Sequence, residues 1–184
     1  MTYSGSNRRF LLIPVLLIVA IVTFDQITKI WAVNSLTNSP PVEVIGQFIM
    51  FSLVYNEGGA MGTNFGSSFY YLISASLILL FVLYYIYINR KSLILSIPLA
   101  CIAGGAIGNL IDRVAYGKVV DFIDVDFFDI DIFGFTLQRW WTFNIADSAI
   151  SLSILFLLYL IVTKKMPGLK DDTDKEPIKT VETE

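Results

Sequence analysis

The stretch FYYLISASLILLFVLYYIYI, residues 69–88, decides the fold class of this chain. It contains no charged side chain. A helix needs roughly 20 mostly apolar residues to cross the ~30 Å hydrocarbon core of a bilayer. The stretch is long enough, so it predicts a transmembrane helix.

Three further apolar stretches predict the rest of the bundle. With the first, the predicted membrane helices cover about residues 10–33, 69–88, 93–111 and 145–162. The 184 residues are 55% hydrophobic and 16% charged, with a mean hydropathy of +0.66. Such values are typical of integral membrane proteins. We therefore predict an all-α membrane protein with four transmembrane helices, in one domain over residues 1–165. Residues 166–184 read as a disordered cytoplasmic tail.

Lysines and arginines predict the orientation, because cytoplasmic loops carry an excess of them. They precede the first helix, join the second to the third, and follow the fourth: Arg8, Arg9, Arg90, Lys91, Lys164, Lys165 and Lys170. Both termini should then be cytoplasmic, with loops 34–68 and 112–144 outside. The first segment could be read as a cleaved signal peptide, but it lacks a small-residue cleavage site, which favours a retained helix.

Composition excludes several classes of function. The net charge of −3 offers no basic stripe for nucleic acid. Histidine is absent, which removes Ser-His and Cys-His catalysis and His-ligated zinc. Cys101 is the only cysteine, so no disulfide can form within the chain. Nothing in the sequence suggests a metal or an organic cofactor, and we expect none.

The two long loops carry strand-like patterns. Alternating apolar runs in residues 40–66 predict a small extracytoplasmic β element between helices 1 and 2, and Gly58, Gly59, Gly62 and Gly66 suit turns. Residues 121–131 alternate aspartate with apolar residues. A calcium loop is one interpretation, but the stretch lacks the glycine and glutamate of an EF-hand. The period of two favours a strand with one wet face and one apolar face. Trp140 and Trp141 fit an interfacial aromatic belt.

Polar residues cluster near the outer ends of three helices, each set at helical spacing. The sets are Asp25 and Lys29; Asn109, Asp112 and Arg113; and Asn144, Asp147 and Ser148. Each has a structural explanation. Asp25 and Lys29 read most simply as a neutralising ion pair, Asp112 and Arg113 as a solvated helix end, and Asn144 as an N-cap. Asp121 and Asp147 are explained least well, because an acid beside a bilayer is costly unless it is used. Separately, Gly104 and Gly108 have the spacing that lets another helix approach closely.

Four motifs, in order, carry a family resemblance: DQITKIWA (25–32), VYNEGGAMG (54–62), GNLIDRVAYGKVVDF (108–122) and FNIAD (143–147). Together they resemble the lipoprotein signal peptidases, or signal peptidase II, which are aspartyl proteases of the bacterial inner membrane. The resemblance implies that Asp121 and Asp147 form the catalytic dyad. It also implies supporting or substrate-binding roles for Asp25, Lys29, Asn56, Asn109, Arg113 and Asn144. The long acidic stretch between the last two motifs leaves its own structure, and its part in substrate entry, open.

The resemblance further implies cleavage of diacylglyceryl-modified prolipoproteins just before the lipidated cysteine. The expected partners are these lipidated substrates and membrane lipids, and we expect a monomer. Two rivals stay open on the residues alone. One is a Ser-Lys protease using Ser148 or another serine with Lys29 or Lys118. The other is a small transporter or channel with Asp25, Lys29 and Asp147 on a proton or ion path. A lipid-binding structural protein would leave the paired acids unexplained.

Overall fold

The computed structural model describes residues 5–58, 68–126, 130–132, 135–137 and 140–167, and within these the side chains of 11–58, 68–126 and 140–167. The predicted tail from residue 168 onward, the turns at Gly59, Gly62 and Gly66, and Asp129 lie outside the described residues.

Four helices dominate the fold: α1 (Gly5–Leu36), α2 (Ser68–Ile88), α3 (Leu93–Tyr116) and α4 (Ile145–Val162). Each is long and apolar enough to cross a membrane. Much of their apolar surface is exposed, as at Leu152 and Val162, which suits a lipid surround. The protein is thus mostly helical, with four candidate membrane helices. Helix α3 continues five residues beyond its predicted end at Ile111, so Asp112 and Arg113 lie inside it.

Helix α3 is the centre of the bundle and packs against the other three helices. More than half of the residues in its most apolar stretch are buried, compared with 11–17% in the corresponding stretches of the other three helices. Small residues allow this close packing. A Cβ on Gly104 would lie 3.0 Å from the Cβ of Ile21 on α1, and one on Gly105 would lie 2.5 Å from the carbonyl oxygen of Ala146 on α4. The close approach predicted at Gly104 is therefore confirmed, and a Cβ on Gly108 would lie 2.5 Å from Asp25 Oδ2 on α1.

A three-stranded antiparallel sheet caps one end of the bundle, here called the sheet end. Its order is β1 (Val42–Ile45), β2 (Ile49–Asn56) and β3 (Val119–Val125). The first two strands lie between α1 and α2, but the third comes from between α3 and α4, so placing the β element only between helices 1 and 2 was incomplete. A separate hairpin pairs β4 (Ile130–Ile132) with β5 (Phe135–Leu137).

The prediction of one wet face and one apolar face was wrong for β3, because six of its seven residues are buried. One face packs on the bundle, while β2 and the segment before α4 flank the strand. Phe122 anchors it in an aromatic cluster, with ring centroids 6.0 Å from both Trp31 and Phe51. The strand that carries Asp121 is therefore fixed by packing on several sides.

A tight turn joins α3 to β3 and sets the register of the strand. Gly117 ends the helix in the left-handed region, at φ 71°, and its N–H donates to the carbonyl of Arg113. Glycine suits this conformation because a Cβ would strain it. The chain then reverses within two residues, and this reversal returns Asp121 to the end of the helix that carries Asn109.

Candidate active site

Asp121 lies on β3 and is almost fully buried, with 1% of its surface exposed. Two amides donate to its carboxyl group: Asn144 Nδ2 to Oδ1 at 2.7 Å, and Asn56 Nδ2 to Oδ2 at 3.2 Å. Burial first, and then the negative charge of Asp147, raise the pKa of Asp121 from 3.8 to about 7, against the opposing effect of the two amides. This carboxyl group therefore exchanges its proton near neutral pH.

Asp147 lies in the first turn of α4, where it forms a capping box with Asn144. The side chain of Asn144 accepts from the Asp147 N–H at 2.9 Å, and Asp147 Oδ2 accepts from the Asn144 N–H at 3.3 Å. Asn109 Nδ2 donates to the other carboxylate oxygen at 2.8 Å. The expected capping role of Asn144 is confirmed, and the same residue also bonds to both acids.

Asn144 therefore brings the two acids together. It is fully buried, and it contacts Asp121 through its side chain and Asp147 through its backbone. Its Nδ2 also donates to Asn109 Oδ1 at 3.1 Å, which closes a chain of amides from one acid to the other. Two acids from distant parts of the sequence thus share one small polar site.

Lys29 binds three side chains of the network that supports this pair. Its ammonium lies 2.9 Å from Asp25, 2.9 Å from Asp112 and 2.9 Å from the side-chain oxygen of Asn109. Asp25 is fully buried and also accepts from the backbone N–H of Ala146 at 3.0 Å. The predicted ion pair between Asp25 and Lys29 is present, and it reaches the helix end that carries Asp147.

Asp112 is the main residue that the predicted site omits. The prediction that Asp112 lies at a solvated helix end was wrong, since only 1% of its surface is exposed. In addition to its ion pair with Lys29, Asp112 accepts a hydrogen bond from Gln26 Nε2 at 3.0 Å. It also accepts one at 3.0 Å from the N–H of Val120, the residue immediately before Asp121. The sequence signal was its position three residues after Asn109, on the same helix face. Gln26 is also absent from the predicted site, and in the sequence it is marked only by its position beside Asp25.

Arg113 and Asn56 both form hydrogen bonds with the backbone of Gly58. Arg113 Nη2 donates to the Gly58 carbonyl at 3.1 Å, and Asn56 Oδ1 accepts from the Gly58 N–H at 2.9 Å. The Nε of Arg113 is buried and has no hydrogen-bond partner among the described residues. This N–H is a donor available to a bound carbonyl.

The Ser-Lys alternative finds no support in these contacts. The Ser148 hydroxyl donates to the carbonyl of Asn144 at 2.9 Å. Lys29 is held by two carboxylates, and Lys118 lies over the ring of Tyr55. Within residues 11–58, 68–126 and 140–167, no hydrogen bond joins a lysine to a serine.

The arrangement can bind a water molecule and exchange one proton around it. A buried acid with a pKa near neutrality, beside a second acid, is what hydrolysis of an amide by general acid and base catalysis requires. The flanking amides fix both carboxyl groups, and Arg113 adds a donor at one side. Among the described residues, no group of three acids or cysteines has the arrangement of a metal site.

Comparison with known proteins identifies the family of this chain. Residues 17–163 match the sequence family described as signal peptidase (SPase) II. The lipoprotein signal peptidase of Desulforapulum autotrophicum is 35% identical over 89% of this chain and 99% of its own length. That of Clostridium tetani is 38% identical over 85% of this chain and 96% of its own. A solved bacterial membrane enzyme superposes with a TM-score of 0.69 and 31% identity, covering 89% of this chain and 93% of that one. The chain therefore belongs to the signal peptidase II family.

Proposed function

We propose that Asp121 and Asp147 are the catalytic pair of an aspartyl endopeptidase that removes signal peptides from diacylglyceryl-modified prolipoproteins. The cut falls just before the lipidated cysteine. The observation that carries the proposal is the shared contact of both acids with Asn144, in a site that is largely closed to solvent. The family and its lipoprotein signal peptidases supply the substrate class.

The reaction uses one proton shared between the two acids. Neighbouring carboxylates do not both ionise easily, so the pair titrates as a unit and holds one proton near neutral pH. The ionised acid takes a proton from water, which attacks the scissile carbonyl. The protonated acid donates its proton to that carbonyl oxygen, which gives a tetrahedral diol. As the C–N bond breaks, the first acid passes the proton it took from water to the leaving amine, and the second recovers its proton from the diol. The amide–carboxylate contacts hold both groups in place throughout.

The supporting residues divide into two groups. Asn109 and Asn144 bond to the pair directly, and Asp25 bonds to the helix end that carries Asp147. Lys29 supports them indirectly, through Asp25 and Asn109. Arg113 and Asn56 lie at the side where the chain continues to Gly58. We assign the unpartnered Arg113 Nε to the substrate backbone, where it would bind a carbonyl oxygen near the cleaved bond.

The location follows from the same proposal. The protein is a multi-pass protein of the bacterial inner membrane, with both termini cytoplasmic and the sheet end outside. Residues 1–165 form the peptidase domain and 166–184 a cytoplasmic tail. One chain supplies both acids and all the amides, which supports a monomer. Membrane lipids surround the exposed apolar helices, and neither nucleic acid nor a cofactor has a role.

The test is cleavage of a synthetic lipidated precursor by purified variants. Asp121→Asn and Asp147→Asn should each abolish turnover while the protein stays folded, because an amide keeps the shape of the acid. Asp124→Asn is the matched control: it changes a buried acid on the same strand but on the opposite face, and it should leave turnover intact. Turnover by either dyad variant at the native rate would exclude the proposed pair.

A further inference from the structure

A lateral pocket of about 360 Å³ opens between α1, α3 and the sheet. Its walls and rim include Ile30, Val33, Asn34, Tyr55, Tyr116 and Lys118. Successive strand residues point to opposite faces. Val120, which also lines the pocket and pairs with Tyr55, therefore faces away from the side of the sheet that carries Asp121. The pocket therefore lies on the opposite face of β3 from Asp121, although it shares Lys29 and Asp112 with the network that supports the two acids.

Lys118 gives the pocket its charge. Its ammonium lies 4.0 Å from the centroid of the Tyr55 ring, and it forms no ion pair with any carboxylate whose side chain the structure describes. The other charged lining residues are Lys29 and Asp112, and Lys29 lies 2.9 Å from both Asp112 and Asp25, so this buried group has no spare positive charge. Lys118 is therefore the one lining cation that pairs with no described carboxylate, and it can contact an anion that enters the pocket.

The polarity of the pocket changes along the bundle axis. Ile30 and Val33 form its apolar wall on α1, about 5 to 9 Å from the end of that helix at Leu36, at 1.5 Å per residue. Lys118 follows the last residue of α3, Tyr116, by two positions, where the helix has ended and the sheet begins. An apolar wall beside the helices and a cation at the sheet end match an acyl chain followed by its headgroup.

We propose that this pocket binds a lipid through its anionic phosphate headgroup. Lys118 contacts the phosphate, and the first part of an acyl chain lies along Ile30 and Val33. A free phosphate ion shares the headgroup chemistry but would leave the apolar wall unused. The occupant would also rest on the Lys29–Asp112 pair, which holds the backbone before Asp121. The pocket is thus a second ligand site, and the proposal does not depend on the catalytic roles given above.

The experiment is titration of phosphatidylglycerol into the purified full-length protein in neutral detergent, with bound lipid counted by native mass spectrometry. Lys118→Gln should weaken the tightest binding about fivefold, as expected for one lysine at an anionic lipid surface. Val33→Trp should weaken it to a similar extent by filling the pocket while Lys118 remains. Lys91→Gln is the matched control, because it removes the same charge from the connection between α2 and α3 at the other end of the bundle.

Several results would overturn the proposal. Native-like binding by both pocket variants would do so, as would equal weakening by Lys91→Gln, which would indicate general attraction of charge. Displacement of the lipid from the native protein by excess inorganic phosphate, dependent on Lys118, would instead indicate a site for soluble anions. Cleavage of the precursor by Lys118→Gln and Val33→Trp checks that both variants are folded.

Discussion

Replacing Lys29 by methionine removes the charge that two buried acids share while keeping most of the length of the side chain. Lys29 is 3% exposed, and its ammonium lies 2.9 Å from both Asp25 and Asp112. Removing one partner of a buried ion pair typically costs about 3–5 kcal/mol, because the remaining charge is left uncompensated. We expect a loss of that size, which corresponds to a Tm lower by about 6–20 °C for a chain of this length.

The assay is thermal unfolding of purified protein in detergent, with Lys91→Met as the control. Lys91 is exposed, so its loss should change the unfolding free energy by less than about 0.5 kcal/mol. Asp112→Asn should cost far less in the Lys29→Met background than in the native one, because one uncompensated acid is then removed. If Lys29→Met melts at the temperature of the Lys91→Met control, the ion network contributes no measurable stability and the reasoning fails.

Three further outcomes are expected. The kcat/KM for a lipidated precursor should fall as pH rises through about 7, because the raised pKa of Asp121 means that its proton is present below that value and lost above it; a flat profile from pH 6 to 9 would contradict this. Gly108→Ala places a Cβ 2.5 Å from Asp25 Oδ2, so it should abolish cleavage, whereas Gly104→Ala, which presses on an aliphatic side chain, should lower Tm but keep activity per folded molecule. Asn144→Ser keeps an acceptor for the cap of α4 but loses the amide donor to Asp121. It should lower kcat about 10-fold to 100-fold, and it should lower Tm by less than Lys29→Met does, as measured by cleavage and unfolding of the same preparation.

The sequence predicted the helices well because their determinants are local. A charge-free run such as residues 69–88 has few other stable structures in a membrane. The end of α3 was harder to place, because Asp112 and Arg113 look like a polar terminus. In the folded chain Asp112 is instead compensated by Lys29, which is distant in sequence. Such pairing across elements leaves no periodic signal in either segment.

Strand β3 shows the same limit more sharply. Its alternating aspartates resemble a half-exposed strand, yet Asp121 and Asp124 are both buried. The strand lies between β2 and the segment before α4, so both of its edges are paired, while one face packs on the helix bundle. No pattern within residues 119–125 predicts those neighbours. For Asn56, only the resemblance pointed to a role, and its contact with Asp121 depends on the pairing of two distant strands.

The capping box at α4 makes one side chain serve two purposes. Asp147 Oδ2 accepts from the Asn144 N–H, so its negative charge also steadies the first turn of the helix. Whenever a proton moves onto Asp147, that electrostatic support weakens. In the proposed reaction, the first turn of α4 would therefore be less stable in the state that has a proton on Asp147.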